Sequence, residues 1–177
     1  MGKWVIDASH SCASFSIRHM MVANTSGLFS QMSGVIQFDP PDLSHLAVEL
    51  EIDVASLTTG YLKRDEHLMS EDFFEVGKYP KIIFRSAKVE AVGEKRARVT
   101  GSLTMHGMTR PVTAEIEYFG PVKSPFGGEI TIGFQAKTKI NREDFGLTWN
   151  EVMEGGGVVV GKEVQITVDV EADLETS

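Results

Sequence analysis

The feature that most constrains this chain is period-two alternation of apolar and polar residues, repeated over segment after segment. In "LAVELEIDV", Leu46, Val48, Leu50, Ile52 and Val54 take one face, while Ala47, Glu49, Glu51 and Asp53 take the other. "RVTGSLTM" sets Val99, Gly101, Leu103 and Met105 against Thr100, Ser102 and Thr104. "EITIGFQAKTKI" aligns Ile130, Ile132, Phe134, Ala136 and Ile140, and "EVQITVDVEADL" aligns Val164, Ile166, Val168, Val170, Ala172 and Leu174. Weaker versions occupy Trp4 to Ile6, Ala13 to His19, Gly34 to Phe38, Lys81 to Val89 and Pro111 to Phe119. Successive side chains of a strand point to opposite faces, so each segment predicts a strand with one apolar and one polar side. Turn signals separate them at "NTSG", "DPPDLS", "VGEK", "HGMTRP", "GPVKSPFGG" and "EGGG".

Eight or nine one-sided strands must cover their apolar faces by forming a sandwich or by rolling into a barrel, and closure also removes exposed edges. The expectation is an all-β fold: a single antiparallel β-barrel of about eight strands, one domain over residues 1–177. A barrel of this size is either filled by side chains or holds one slender ligand. Several interior positions are small, among them Gly101, Ala136 and Ala172, which leaves room for a cavity.

One stretch breaks the pattern. In "TTGYLKRDEHLMSEDFFEVGKYP", Thr58 to Pro80, the apolar residues Tyr61, Leu62, Leu68, Met69, Phe73 and Phe74 recur at helical spacing. The reading is a short helical insert around residues 61–75, a pair of turns with Ser70 capping the second. Its natural place is across one end of the barrel, aromatics inward and charges at the rim. Arg64 and Asp65 adjoin there as a rim ion pair, and His67 stands four residues from Glu71 as a helix-face pair.

Charge and composition exclude several functions. The net charge of −8 opposes a nucleic-acid partner, and "EKRAR" reads as a solvated hairpin end. The single cysteine, Cys12, excludes an internal disulfide and a multi-cysteine zinc site. No run approaches the ~20 apolar residues of a membrane span, and the start shows no signal-peptide pattern. The expectation is a cytoplasmic protein, or a periplasmic one where a leader has been removed.

The chemistry-bearing residues are sparse. No HExxH motif or paired histidine spacing is present, so no metal or other cofactor is expected. Ser11, His19 and Asp65 assemble a triad only on paper, without the nucleophile elbow that would support it. Arg64, His67, Lys81 and Arg142 are the residues able to face a polar head group at the mouth, arginine suiting phosphate oxygens through its planar fork.

Taken in order, "IDASHSCASFSIRHMMV", "SLTTGYLKRDEHLMSEDFFEVGKYPKIIF", "VTGSLTMHGMTRPVT", "INREDFG" and "VQITVDVEA" resemble the YceI-like family over about Trp4 to Ala172. The resemblance implies a lipocalin-like barrel that binds a polyisoprenoid or similar amphiphile, such as a polyprenyl phosphate or a quinone, and that forms a homodimer. The inferred interior comprises Phe15, Ile17, His19, Phe29, Val48, Leu50 and Ile52, with Leu68, Phe73, Phe84, Leu103, Met105, Ile132 and Phe134. The inferred polar mouth comprises Arg64, Asp65, His67 and Arg142. The favoured function is a carrier or store without catalysis. Two alternatives stand beside it: an enzyme acting on such a lipid with His19 or His106 as acid–base group, and a filled barrel serving as an interaction module.

Overall fold

The computed structural model describes all 177 residues, Met1–Ser177. Eleven strands form one continuous antiparallel sheet: β1 (Lys3–Ile6), β2 (Cys12–His19), β3 (Ala23–Phe29), β4 (Met32–Asp39), β5 (Asp42–Asp53), β6 (Leu57–Thr58), β7 (Lys81–Ala91), β8 (Arg96–Met105), β9 (Met108–Lys123), β10 (Ile130–Asn141) and β11 (Val160–Leu174). The order β1-β4-β5-β7-β8-β9-β10-β11 closes on itself through β1–β11 pairing, a ring of eight strands. β2, β3 and β6 branch from β11 and extend the wall at one end. The first half of β11 pairs with β2 and its last residues pair with β1, so one long strand serves both.

The alternation read from the sequence fixes the faces. Leu46, Leu50 and Ile52 of β5 are buried, with Val54 just after it, as are Val99 and Met105 of β8 and Ile132, Phe134 and Ile140 of β10. One end of the barrel is packed solid. Phe38, fully buried, meets Tyr118 edge-on at 5.0 Å and Phe134 at 5.8 Å, while the Trp4 indole donates to the Phe38 carbonyl at 2.9 Å. Leu43, Leu46, Ala97, Ile132 and Ala172 are buried in the same core.

The turn expected at "NTSG" lies elsewhere. Asn24 to Gly27 belong to β3, and the hairpin tip is Met20–Val22, where Met20 and Met21 have positive φ. Gly27 explains how so polar a segment stays in register. It sits opposite Phe15, and a Cβ there would press into the Phe15 ring at 2.6 Å. "HGMTRP" and "GPVKSPFGG" also turn less than expected, since β9 runs from Met108 through Lys123.

The insert is one α-helix, α1 (Leu62–Met69), and not a helical pair. Ser70 ends it: its hydroxyl donates to the His67 carbonyl at 2.6 Å, and Phe73 N–H donates back to Ser70 in a single turn. Three segments share that end of the barrel with α1: the β2–β3 tip, the β8–β9 turn at His106–Gly107, and the connection 142–159 between β10 and β11. The opposite end carries the β4–β5, β7–β8 and β9–β10 turns.

Candidate functional site

Beneath α1 the barrel is hollow. A cavity of about 700 Å³ runs down from the insert, lined by 42 residues of which 32 are hydrophobic. Its floor includes Ile6, Ile36 and Phe134, the upper surface of the aromatic plug. Its walls include Val48, Phe84, Leu103, Val112, Ile116, Val164, Ile166 and Val168, none of which is fully buried. Their accessible surface faces inward, which explains why a regular apolar phase yields half-exposed side chains.

Of the fourteen interior residues inferred from sequence, thirteen line this cavity: Phe15, Ile17, His19, Phe29, Val48, Leu50, Ile52, Leu68, Phe73, Phe84, Leu103, Met105 and Phe134. Ile132 does not. It is 1% exposed and belongs to the packed core, at the irregularity between Thr131 and Gly133 that shifts the β9–β10 register. Ala136 and Ala114 are on the wall, where small side chains leave space, whereas Ala172 lies in the core.

Two aromatic groups cover the mouth. Phe74 of the insert meets Phe29 edge-on at 5.8 Å, and Phe29 meets Phe15 at 5.7 Å. His67 packs between Phe73 at 5.1 Å and Trp149 at 4.7 Å, joining the insert to the 142–159 connection. Trp149 lies on no alternating segment, and its place in the site had no sequence signal. The expected His67–Glu71 pair does not form; His67 Nε2 instead hydrogen-bonds Asp72 Oδ2 at 2.8 Å.

The inferred polar mouth divides. Arg64 and His67 line the cavity, but Asp65 does not. Asp65 is 8% exposed and accepts hydrogen bonds from both the backbone N–H and the hydroxyl of Thr59. Arg64 donates to the same threonine, from Nε to Oγ1 at 2.7 Å and from Nη2 to the carbonyl at 2.9 Å. The adjacent charges therefore do not pair with one another; both clamp Thr59 and fix where the helix begins. The carboxylate is also favourably placed in the first turn, near the positive end of the helix dipole.

Arg142 also departs from expectation. It lines the cavity but is 3% exposed, with Nε on the Gly161 carbonyl at 2.7 Å, Nη1 on Leu147 at 2.6 Å and Nη2 on Val160 at 3.4 Å. Burial pulls its pKa down from the ordinary arginine value, with Glu143 opposing, and arginine stays charged throughout. The side chain fastens the 142–159 connection to the start of β11. Three of its five donors are used on backbone carbonyls, which holds this charge in the wall.

The electrostatics of the cavity differ from those of the chain as a whole. Arg18, Lys63, Arg64, Arg142, His19 and His67 are on its wall, and no aspartate or glutamate is. None of the four Lys and Arg side chains forms an ion pair. A chain of net charge −8 thus presents a cationic collar around an apolar interior. Arg18 and Lys63 were not among the inferred site residues; Arg18 falls on the polar phase of β2 and reaches the mouth only because the strand ends there. Lys81, another mouth candidate, is absent from the wall and pairs with Glu51 and Asp53 outside.

The two histidines considered as acid–base groups are placed differently, His19 on the cavity wall and His106 off it. His19 is exposed at the rim, and no hydrogen-bond or ion-pair partner orients its ring. His106 is absent from the cavity wall; its Nδ1 is 3.0 Å from the Phe145 carbonyl and its buried Nε2 has no partner.

The comparison with protein families decides the kinship: the model of the YceI-like domain matches residues 4–172. The chain belongs to the YceI-like family. Among curated relatives, a UPF0312 protein of Staphylococcus aureus strain MSSA476 is 34% identical over 174 residues, spanning 98% of this chain and 99% of its own. Burkholderia cenocepacia BcnA superposes with a TM-score of 0.81 at 26% identity, covering 94% of this chain and 98% of that one. The Campylobacter jejuni YceI protein gives 0.72 at 29% identity, with 90% of each chain covered. A polyisoprenoid-binding domain from Saccharophagus degradans also gives 0.72, covering 97% of this chain and 98% of that one; at 18% identity it shares the fold.

Proposed function

We propose that this YceI-like barrel binds one slender amphiphile of isoprenoid type, its chain in the cavity and its head group at the collar, as a carrier or store without catalysis. The observation that carries the reading is the apolar cavity of about 700 Å³, within the ~300–1,000 Å³ of typical ligand sites. Its size also argues against the filled-barrel module. At ~24 cal/mol per Å³, an empty void of 700 Å³ is worth about 17 kcal/mol, beyond the net stability of an ordinary domain. A space of that size persists because solvent or ligand enters it.

A hydrocarbon chain suits the walls better than water does, since water in a cavity needs two to four polar partners. Burial contributes ~0.8 kcal/mol per CH₂, so each five-carbon unit adds on the order of 4 kcal/mol before ordering costs. A few units suffice for micromolar affinity. A collar whose Arg64, Lys63 and Arg18 have no ion-pair partner favours a phosphate or carboxylate head over a neutral one. Of the two histidines on the cavity wall, His67 is tied to Asp72 and wedged between Phe73 and Trp149, a setting that fastens the insert over the mouth and suits binding.

The test is uptake by delipidated protein of a fluorescent farnesyl phosphate and of its alcohol. Saturable binding of both, tighter for the phosphate, is the expected result. No saturable uptake of either overturns the reading.

A further inference from the structure

Six of the twelve exposed large apolar side chains gather at the mouth end: Met20, Met21 and Val22 at the hairpin tip, Tyr61 and Leu62 where α1 begins, and Val152 in the 142–159 connection. Val22 is 80% exposed, Leu62 72% and Val152 83%, and burying such side chains is favourable, so their clustering needs an occupant. The elements carrying them are joined. Met20 N–H donates to the Val159 carbonyl at 2.7 Å, the Met21 side chain lies against Gly157, and Val152 bridges to Val158. Tyr61 alone of the six also belongs to the cavity wall, and so links the lip at the start of α1 to the interior.

We propose that the mouth of the barrel docks on a lipid bilayer surface, the lips entering the acyl boundary so that cargo passes between membrane and cavity without crossing water. The inference rests on the reading of the cavity as a lipid site. Charge complementarity selects the occupant. Arg18 stands two residues before the hairpin tip, Lys63 and Arg64 directly follow Leu62, and all three line the opening without acidic partners. Long cationic side chains beside apolar ones match a surface with phosphates above and hydrocarbon below. Glu66, Glu151 and Glu154 are exposed at the same end, the last two flanking Val152, so the cationic part of the lips is the side formed by the hairpin tip and the start of α1. A second copy is the weaker occupant, because it brings its own cationic collar against the first and shuts both cavities. Phe119, Val122 and Phe126 form another exposed apolar set at the opposite end, where the barrel is plugged.

Flotation with phosphatidylcholine vesicles tests this, a zwitterionic surface reading the insertion of the apolar lips apart from bulk attraction or repulsion of the chain's net charge of −8. Wild-type protein is expected to float. Val22→Asp and Leu62→Asp, at positions too exposed to disturb folding, are each expected to weaken binding roughly tenfold or more. Phe126→Asp, at a residue 98% exposed but on the plugged end, is expected to float as wild type does. Equal loss in the Phe126 variant would show unspecific stickiness and overturn the proposal. So would unaltered flotation of both mouth variants, or a wild-type dimer that does not float and that Val22→Asp dissociates. Uptake of the farnesyl probe, measured on the same samples, separates the two readings: a protein that takes up probe yet never floats retains its lipid site and loses the docking surface.

Discussion

Leu103→Trp, set beside Ile132→Trp, distinguishes a container from a packed core within one molecule. Leu103 lies on β8 opposite Phe84 of β7, half-buried, with its side chain on the cavity wall. Ile132 lies on β10 at 1% exposure, in the aromatic-plugged end and off the cavity wall. An indole forced into the packed site should cost about 1–3 kcal/mol through displaced neighbours and strained rotamers. At Leu103 the same group enters open space, so apo stability should change by less than about 0.5 kcal/mol. The indole adds about as many heavy atoms as one isoprene unit, and excluding such a unit removes on the order of 4 kcal/mol, about a thousandfold in Kd. Urea denaturation of both apo variants and titration with the farnesyl phosphate probe measure the two effects separately. The expected pattern is stable but binding-deficient for Leu103→Trp, and destabilised but binding-competent for Ile132→Trp. The reverse pattern, or destabilisation of about 2 kcal/mol at Leu103 with affinity intact, would refute the placement of the cavity.

Four further expectations concern the polar framework. Asp65→Ala removes an acceptor from two hydrogen bonds to Thr59 and should cost about 2–3 kcal/mol, with hydrogen exchange accelerated across Leu62–Met69. Arg142→Met leaves carbonyls of Leu147, Val160 and Gly161 without their charged donor and should cost about 3–6 kcal/mol by urea denaturation, whereas Arg64→Gln should chiefly weaken the phosphate probe and spare the alcohol. At the β1–β2 junction, His10 has a raised pKa, first through its hydrogen bond to Asp7 and then through Glu171, while the same bond leads in holding Asp7 down at about 2. Because the His10 value is raised, its contribution is fully present below pH ~6.5 and fades as pH rises through the folded value. Because the Asp7 value is depressed, its contribution is present above pH ~4 and fades as pH falls toward about 2. Asp7→Asn should therefore lower the His10 midpoint in an NMR titration; an unmoved midpoint would contradict the pairing.

What the sequence made legible was whatever follows from strand period. Leu50, Ile52, Leu103 and Phe134 sit in regular alternation, and the faces they share converge on one interior once the sheet closes. The apolar spacing of Leu68, Phe73 and Phe74 likewise placed these side chains at the mouth, where all three line the cavity. Depth along the barrel was not legible. Period two says which face Ile132 and Leu103 share, but the cross-strand register and the bulge near Thr131 determine that one lies below the cavity and the other beside it. Side-chain destinations at chain ends were hidden for a related reason. Asp65 and Arg142 read as solvated mouth charges because helix period and turn position carry no information about the backbone groups they meet. Strand β3 escaped because "NTSG" combines turn-forming residues, while its pairing depends on Gly27 clearing the Phe15 ring. Trp149 belongs to a connection without period, and only the fold brings it to His67 and Phe73.

The most direct test of the central claim is native mass spectrometry of the purified protein, followed by extraction and identification of whatever lipid it carries. The account predicts a single adduct per barrel, the extract giving a prenyl-type amphiphile with an anionic head, and disappearance of that adduct in Leu103→Trp. A homogeneous apo mass that stays unshifted after incubation with farnesyl and longer prenyl phosphates would contradict it.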